Sequence, residues 1–586
     1  MKVSTISNLI INIICFLLSL LFISPIYFWT RSFGLIFFSI LYLVLGIFNF
    51  YFFRKIILPK IQVELWTYPL RWRWFLVLTS FLSGIWLTIN IRIPIPPIEH
   101  NILLSPIVIR LLYLLIVGID IGIIIFLLIL LAAKNLVLLS QKEFKPNQFP
   151  FLKYWVVIVF VWGFFLMAFY PGIMTSDTMD QWNQMLTGIY NDHHPAFHTF
   201  TIWLLTRVSL SPTTVAVSQI LFLGFVAAKW FEFFERICLS KWIIWISLFL
   251  FSLSPVNGTM VITLWKDIPF SISVLAITLF LVKIVFSRGS WIHSWKSKIL
   301  LGLVSAFILL FRHDGLPIGV GVLGSVFLLF PKKFKHWIVV YVIFAGFYFG
   351  VRGPLYEAVG VQRSTSLAES SLSLYSIAGY AKNDSQASQF IQSFKIISPN
   401  WNCNIADQIN PEWRATDLDY TISPIQTLTN LISRMPRVFI YFYRCARSME
   451  WIVWDPNGEM RDASNMTEFI VTNPFGIVHD SKIPWLRDII ADWVLNTSRN
   501  PSINWFTWRP AFFLYINLFV TLTLILRNRS FKFSLISLPI VFQSITFSLI
   551  FANPNFRYHY PVLLVSLISW PLLFSASQFG GDETKQ

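Results

Sequence analysis

Three aspartates and three histidines fall between Tyr170 and His198, in the stretch YPGIMTSDTMDQWNQMLTGIYNDHHPAFH, of a chain that is otherwise strongly apolar. They are Asp177, Asp180, Asp192, His193, His194 and His198. Ionisable groups at a bilayer edge are costly unless solvated, paired or used. Three more polar clusters interrupt apolar runs further on: Lys266-Asp267, Arg312-His313-Asp314 and Arg557-Tyr558-His559. A carboxylate held near a membrane can take the proton of a hydroxyl. Arg, Lys or His can neutralise a phosphate as charge develops on it, and the planar fork of Arg gives a phosphate two hydrogen bonds at once. Acids and bases gathered at one membrane face are what joining a membrane-bound phosphate donor to an acceptor on that side would need.

Each cluster also has a plainer reading. Asp177 and Asp180 are spaced i,i+3, so on a helix they face one way, one as base and the other as orienter or cation ligand. Asp is equally at home at a solvated helix start. Asp192-His193-His194-Pro195 contains metal-ligand residue types. Asp177, Asp180 and His194 together would suit a divalent cation such as Mg or Mn, although the chemistry requires no cofactor. Adjacent loop histidines are more often surface or packing residues, and no HExxH pattern is present. Lys266 and Asp267 suit a membrane-edge ion pair, while Arg557 and His559 suit snorkelling to headgroups.

The elements that must position these groups are membrane helices. The chain has 586 residues, 56% hydrophobic and 12% charged, with a mean hydropathy of +0.66, a balance that excludes an ordinary soluble fold. The formal charge of +17 is read as membrane topology rather than nucleic-acid binding, because Lys and Arg collect in short loops between apolar runs. Spans are expected at 8–29, 34–53, 74–91, 106–133 and 151–170, then 212–231, 242–256, 268–286, 299–311, 316–331, 337–351, 508–526, 532–551 and 560–576. Residues 196–209 are read as a surface or angled helix. The prediction is an all-α polytopic membrane protein of about 14 spans, both termini cytoplasmic and all four polar clusters extracytoplasmic. Its parts are N-terminal spans (1–170), a catalytic loop and surface helix (171–211), central spans (212–351), a mostly helical extracytoplasmic insertion (352–505) and C-terminal spans with a tail (506–586). Within the insertion, Ser423-Pro424 suits a helix start, 436–454 suits a helix lying on the membrane, and Cys403 and Cys445 could pair if that segment lies outside the cell.

Taken together, PGIMTSD, DHHPAFH, RHDGLP and FRYHYP resemble, in that order, motifs of the GT-C superfamily of membrane glycosyltransferases. The likeness covers roughly 160–320 and the last 35 or so residues, and is closest to uncharacterised bacterial members. Where the family often has adjacent acids, the second acid here is Asp180. The resemblance implies a GT-C-like bundle in a bacterial plasma membrane. It implies transfer of a sugar from a polyprenyl-phosphate donor to an envelope glycan or lipid, with membrane lipids but no nucleic acid as partners. Asp177, with Asp180 and Asp192, would be catalytic; His193, His194, Lys266, Asp267, Arg312, Asp314, Arg557, Tyr558 and His559 would bind substrate. A transporter or flippase of a lipid-linked or anionic substrate, and a glycan polymerase or ligase, are the alternatives.

Overall fold

The computed structural model describes residues 68–90, 106–137, 150–362, 450–454, 466, 470–550 and 556–577. The expected spans at 8–29 and 34–53, the Ser423-Pro424 helix start, most of 436–454 and both Cys403 and Cys445 lie outside the described residues. The described residues are helical apart from turns and three isolated bridges. Every apolar segment expected from 74–91 onward forms a helix, because an apolar stretch in hydrocarbon must satisfy its backbone internally.

The expectation of about 14 spans is met in part. Among the described residues six helices are long and apolar enough to cross a membrane, or seven if a pair bent by 56° at 252–255 is one span. Several of the other expected spans are short helices of 10–17 residues, at most about 26 Å long against a hydrocarbon core of about 30 Å. Hydropathy marks how far an apolar run extends in sequence, but not where turns cut it into shorter helices.

The chain divides into two compact units. The first, Met1–Leu136 with Leu522–Arg529 and Phe579–Gln586, contains α1 (Leu70–Asn90) and α2 (Pro106–Asn135). They touch through glycines: a Cβ on Gly84 would collide with the Gly118 carbonyl and lie 2.5 Å from the Gly122 backbone nitrogen. Gly118 and Gly122 are spaced as the small residues that let membrane helices approach closely. In the same unit Arg527 donates to the carbonyls of Ala132, Ala133 and Leu136, at 2.6, 2.9 and 3.1 Å, satisfying acceptors that the end of α2 leaves open.

The second unit, Val137–Thr521 with Ser530–Gln578, holds every candidate site residue. In order it contains α3 (Leu152–Ala168), α4 (Ser176–Thr187), α5 (Ala196–Leu205), α6 (Pro212–Arg236), α7 (Lys241–Ser252), α8 (Pro255–Val261) and α9 (Asp267–Phe286). Next come α10 (Trp295–Phe311), α11 (Leu316–Leu329) and α12 (Phe334–Gly350), which runs through a π-helical turn at Val351–Leu355 into α13 (Tyr356–Val359). Then follow α14 (Pro484–Arg499), α15 (Pro501–Thr507), α16 (Pro510–Asn528, of which residues up to Thr521 belong to this unit), α17 (Leu538–Ile550) and α18 (Tyr560–Ser569). Helix α9 is the centre: 78% of its apolar window is buried, and it packs on α6, α10, α17 and α18. Phe160, Phe222, Val342 and Phe349 are exposed on other helices of this unit, a surface suited to hydrocarbon.

Candidate functional site

The site forms where the chain before α4 meets the chain before α9. Ile173 donates to Ile262 O at 3.1 Å and accepts from Leu264 N at 3.0 Å, a parallel bridge opposite Thr263. Gly172 is required beside it. Its φ is +130°, and a Cβ would lie 3.1 Å from Leu264 Cδ1 and 3.2 Å from Ile262 O, a conformation that favours glycine. Side chains lock the join: Trp265 Nε1 donates to Thr175 Oγ1 at 2.7 Å, and Thr178 Oγ1 to Leu264 O at 3.1 Å. Gln219 of α6 donates to the carbonyls of Val261 and Thr263, at 2.8 and 3.0 Å. Asp177 thus enters the first turn of α4, and Lys266-Asp267 the start of α9, side by side.

Two ionic groups meet at this join. In the first, Arg557 donates to Asp177 Oδ2 at 2.7 Å, and His194 Nε2 lies 3.9 Å from Asp177 Oδ1. Lys266 Nζ lies 2.6 Å from His194 Nδ1. Burial pushes the His194 pKa down to about 3, and the Lys266 charge adds to it. The imidazole is therefore neutral, accepts from Lys266 at Nδ1, and carries its hydrogen on Nε2 toward Asp177. Burial raises the Asp177 pKa, but the charges around it, Arg557 foremost and Lys266 with it, outweigh that and hold the carboxyl down to about 2. Burial lowers Lys266 to about 8 against the pull of Asp177 and Asp267, so it stays mostly charged at neutral pH.

In the second group Arg312 grips Asp314 with both arms of its fork, Nε at 2.9 Å and a terminal nitrogen at 2.8 Å. Its other terminal nitrogen bonds to Asp267. Burial works against the Arg312 charge, yet Asp314 and Asp267 raise its pKa above the ordinary value. Burial likewise opposes the Asp314 carboxylate, and Arg312 lowers it all the same. Tyr558 joins the two groups: its ring centroid is 4.5 Å from Arg312 Cζ and 4.9 Å from Arg557 Cζ, and its hydroxyl accepts from Arg557 at 3.0 Å.

Asp177, His194, Lys266, Asp267, Arg312, Asp314, Arg557 and Tyr558 thus form one connected cluster. The other expected residues stand outside its ionic contacts. Asp180 is exposed and accepts from Gln184 at 2.7 Å. His193 is exposed with its ring against that of His194. Asp192 is buried and accepts from Ala196 N at 3.0 Å, at the start of α5, and from Arg352 at 2.5 Å. His559 is buried, 3.2 Å from Glu450, and His198 is buried with Nδ1 2.8 Å from Gln181 Oε1.

The metal expectation for Asp177, Asp180 and His194 does not fit these positions. Among the described residues no group of three or more His, Cys, Asp or Glu side chains could hold a metal ion. The places beside Asp177 and His194 are taken by Arg557 and Lys266, whose charges repel a cation.

The sequence reading passed over Arg352 and Trp265. Arg352 sits within the π turn at the end of an apolar run, a polar intrusion that could have flagged it. Trp265 lies 5.3 Å from Arg557 Cζ, and only its place beside Lys266 hints at that. Comparison with family models, with curated proteins and with solved structures returns no match.

Proposed function

We propose that this chain is a membrane glycosyltransferase of GT-C type, working at the Asp177 cluster on a sugar carried by polyprenyl phosphate. The observation that carries the reading is the Asp177–Arg557 pair. Among the described residues the cluster holds three carboxylates and three cations, and an incoming phosphate that takes either arginine must displace a carboxylate from it. Arg312 is poorly placed for that exchange, with its side chain 4% exposed and those of Asp267 and Asp314 2% and 7%. The Arg557–Asp177 pair, at 15% and 28%, opens to the surface.

The donor phosphate takes Arg557, with Lys266 close behind it. Loss of the Arg557 contact removes the leading opposite charge from Asp177, and its carboxylate becomes more basic as the donor arrives. The acceptor hydroxyl gives its proton to Asp177 while its oxygen bonds to the sugar C1. The C1–O(phosphate) bond breaks, and its electron pair leaves with polyprenyl phosphate, neutralised by Arg557. The Lys266–His194 contact holds the imidazole N–H toward Asp177 and fixes the base. The finer topology belongs to this reading: about 14 spans, a bacterial plasma membrane, and an extracytoplasmic cluster facing an envelope acceptor.

A transporter of a lipid-linked anion is the second reading. One observation favours it: α7 and α8 form a helix bent by 56° that ends at Val261, beside the site. Broken helices of this kind bind substrates in transporters. Purified protein in vesicles with a polyprenyl-phosphate sugar separates the two. A transferase releases polyprenyl phosphate in an acceptor-dependent way, and Asp177→Asn stops it without loss of fold; movement of intact donor with no release would overturn the transferase reading.

A further inference from the structure

At the far end of α9 the charge balance is different. Lys283 lies about 24 Å along the helix axis from Asp267. It lines a cavity of 780 Å³ formed with the C-terminal end of α6, residues 286–294 and the start of α10. The walls are aromatic and aliphatic, with Phe225, Phe233, Phe280 and Leu300 among them, and four cations enter it, Lys229, Arg236, Lys283 and Lys296. One carboxylate, Glu232, faces them, and it is fully used. Its Oε2 accepts from Lys229 at 2.7 Å, and its Oε1 from Arg236 at 3.0 and 2.6 Å. Among the described residues the side chains of Lys283 and Lys296 have no hydrogen bond or ion pair. Lys296 is exposed, but Lys283 is half-buried within a helix apolar enough to cross a membrane, where an ammonium without a counter-ion is costly.

We propose that this cavity binds an anionic lipid, with its phosphate between Lys283 and Lys296 and the start of an acyl chain along the phenylalanines. Cations that this chain leaves unmatched draw an anion from outside, and apolar walls of this extent favour a phosphate attached to a hydrocarbon chain over a free one. A basic pocket between spans is also where anionic headgroups are recognised. In the topology proposed above this end faces the cytoplasm.

The test is binding to the full chain in neutral detergent, read by native mass spectrometry during titration with dioleoylphosphatidic acid, dioleoylphosphatidylcholine and inorganic phosphate. Phosphatidic acid should bind at least ten-fold more tightly than either of the others. Lys283→Met should weaken it about ten-fold, and Lys296→Gln about five-fold. Equal binding of phosphatidylcholine, or inorganic phosphate binding as tightly as the lipid, would overturn the proposal. So would unchanged binding in Lys283→Met. Should that variant fail to fold, the exposed Lys296→Gln decides alone, and unchanged binding there is equally fatal.

Discussion

Arg312 and Arg557 lean on the same Tyr558 ring, at 4.5 and 4.9 Å, yet their surroundings differ. Arg312 is enclosed by two carboxylates, and all three side chains are nearly inaccessible. Arg557 is paired with Asp177, and both reach the surface. The difference teaches how a membrane protein can keep two guanidinium groups side by side for separate uses. Enclosed by its acids, an arginine braces the start of α9 and the end of α10. With a partner that reaches the surface, it can change that partner when a phosphate arrives.

Removing the proposed base should have the largest effect. Asp177→Asn is expected to lower transfer by about 10²–10⁴-fold, with an unchanged circular-dichroism spectrum and thermal midpoint. Near-wild-type turnover would remove Asp177 from the chemistry. Next come the two arginines, which should fail in different ways. Arg557→Ala is expected to cost about 10²–10³ in turnover with little loss of stability. Arg312→Ala leaves buried carboxylates uncompensated, at about 3–5 kcal/mol, and should appear as a lower thermal midpoint and poor yield. The contrast breaks if Arg312→Ala folds normally and loses only activity.

A smaller effect should follow pH. His194 titrates at about 3 in the folded chain against about 6.5 unfolded. Between these values the unfolded chain binds more protons, so this contribution to stability is complete above about pH 6.5 and is lost as pH falls toward 3. The thermal midpoint should fall over that window, and His194→Gln should shallow the fall; an identical pH profile in the variant would place the sensitivity elsewhere. The smallest effect is expected at Asp180, which is exposed and bound to Gln184. Asp180→Asn should change turnover less than about two-fold, in line with exposed polar contacts being worth little. A loss as large as that of Asp177→Asn would bring Asp180 into the site.

Much of the cluster was legible in residue types. Asp177, Lys266, Asp267, Arg312, Asp314 and Arg557 stand out because ionisable residues beside apolar runs are rare and must be placed deliberately. Asp180 and Asp192 drew the same attention for the same reason, and residue type alone could not separate them from Asp177. Their roles turn on which cation each meets, and Arg352, the partner of Asp192, is 160 residues away in sequence. The metal reading of Asp177, Asp180 and His194 failed to fit for a related reason: ligand types were visible, but the Lys266 and Arg557 charges beside them were not.

By itself the sequence determined that the described chain is helical and holds long apolar helices, because hydrocarbon demands runs of apolar residues with internally paired backbone. It also determined where charge interrupts them. Only the tertiary structure decided which charges meet: the Ile173–Thr263 bridge sets Asp177 beside Lys266, and Tyr558 sets Arg557 beside Arg312. It decided, too, that among the described residues one end of α9 pairs its charges while the other sets four cations and one carboxylate around a cavity. Apolar patterning is a local property and can be read along a line, whereas charge pairing depends on distances between segments that the linear order leaves open.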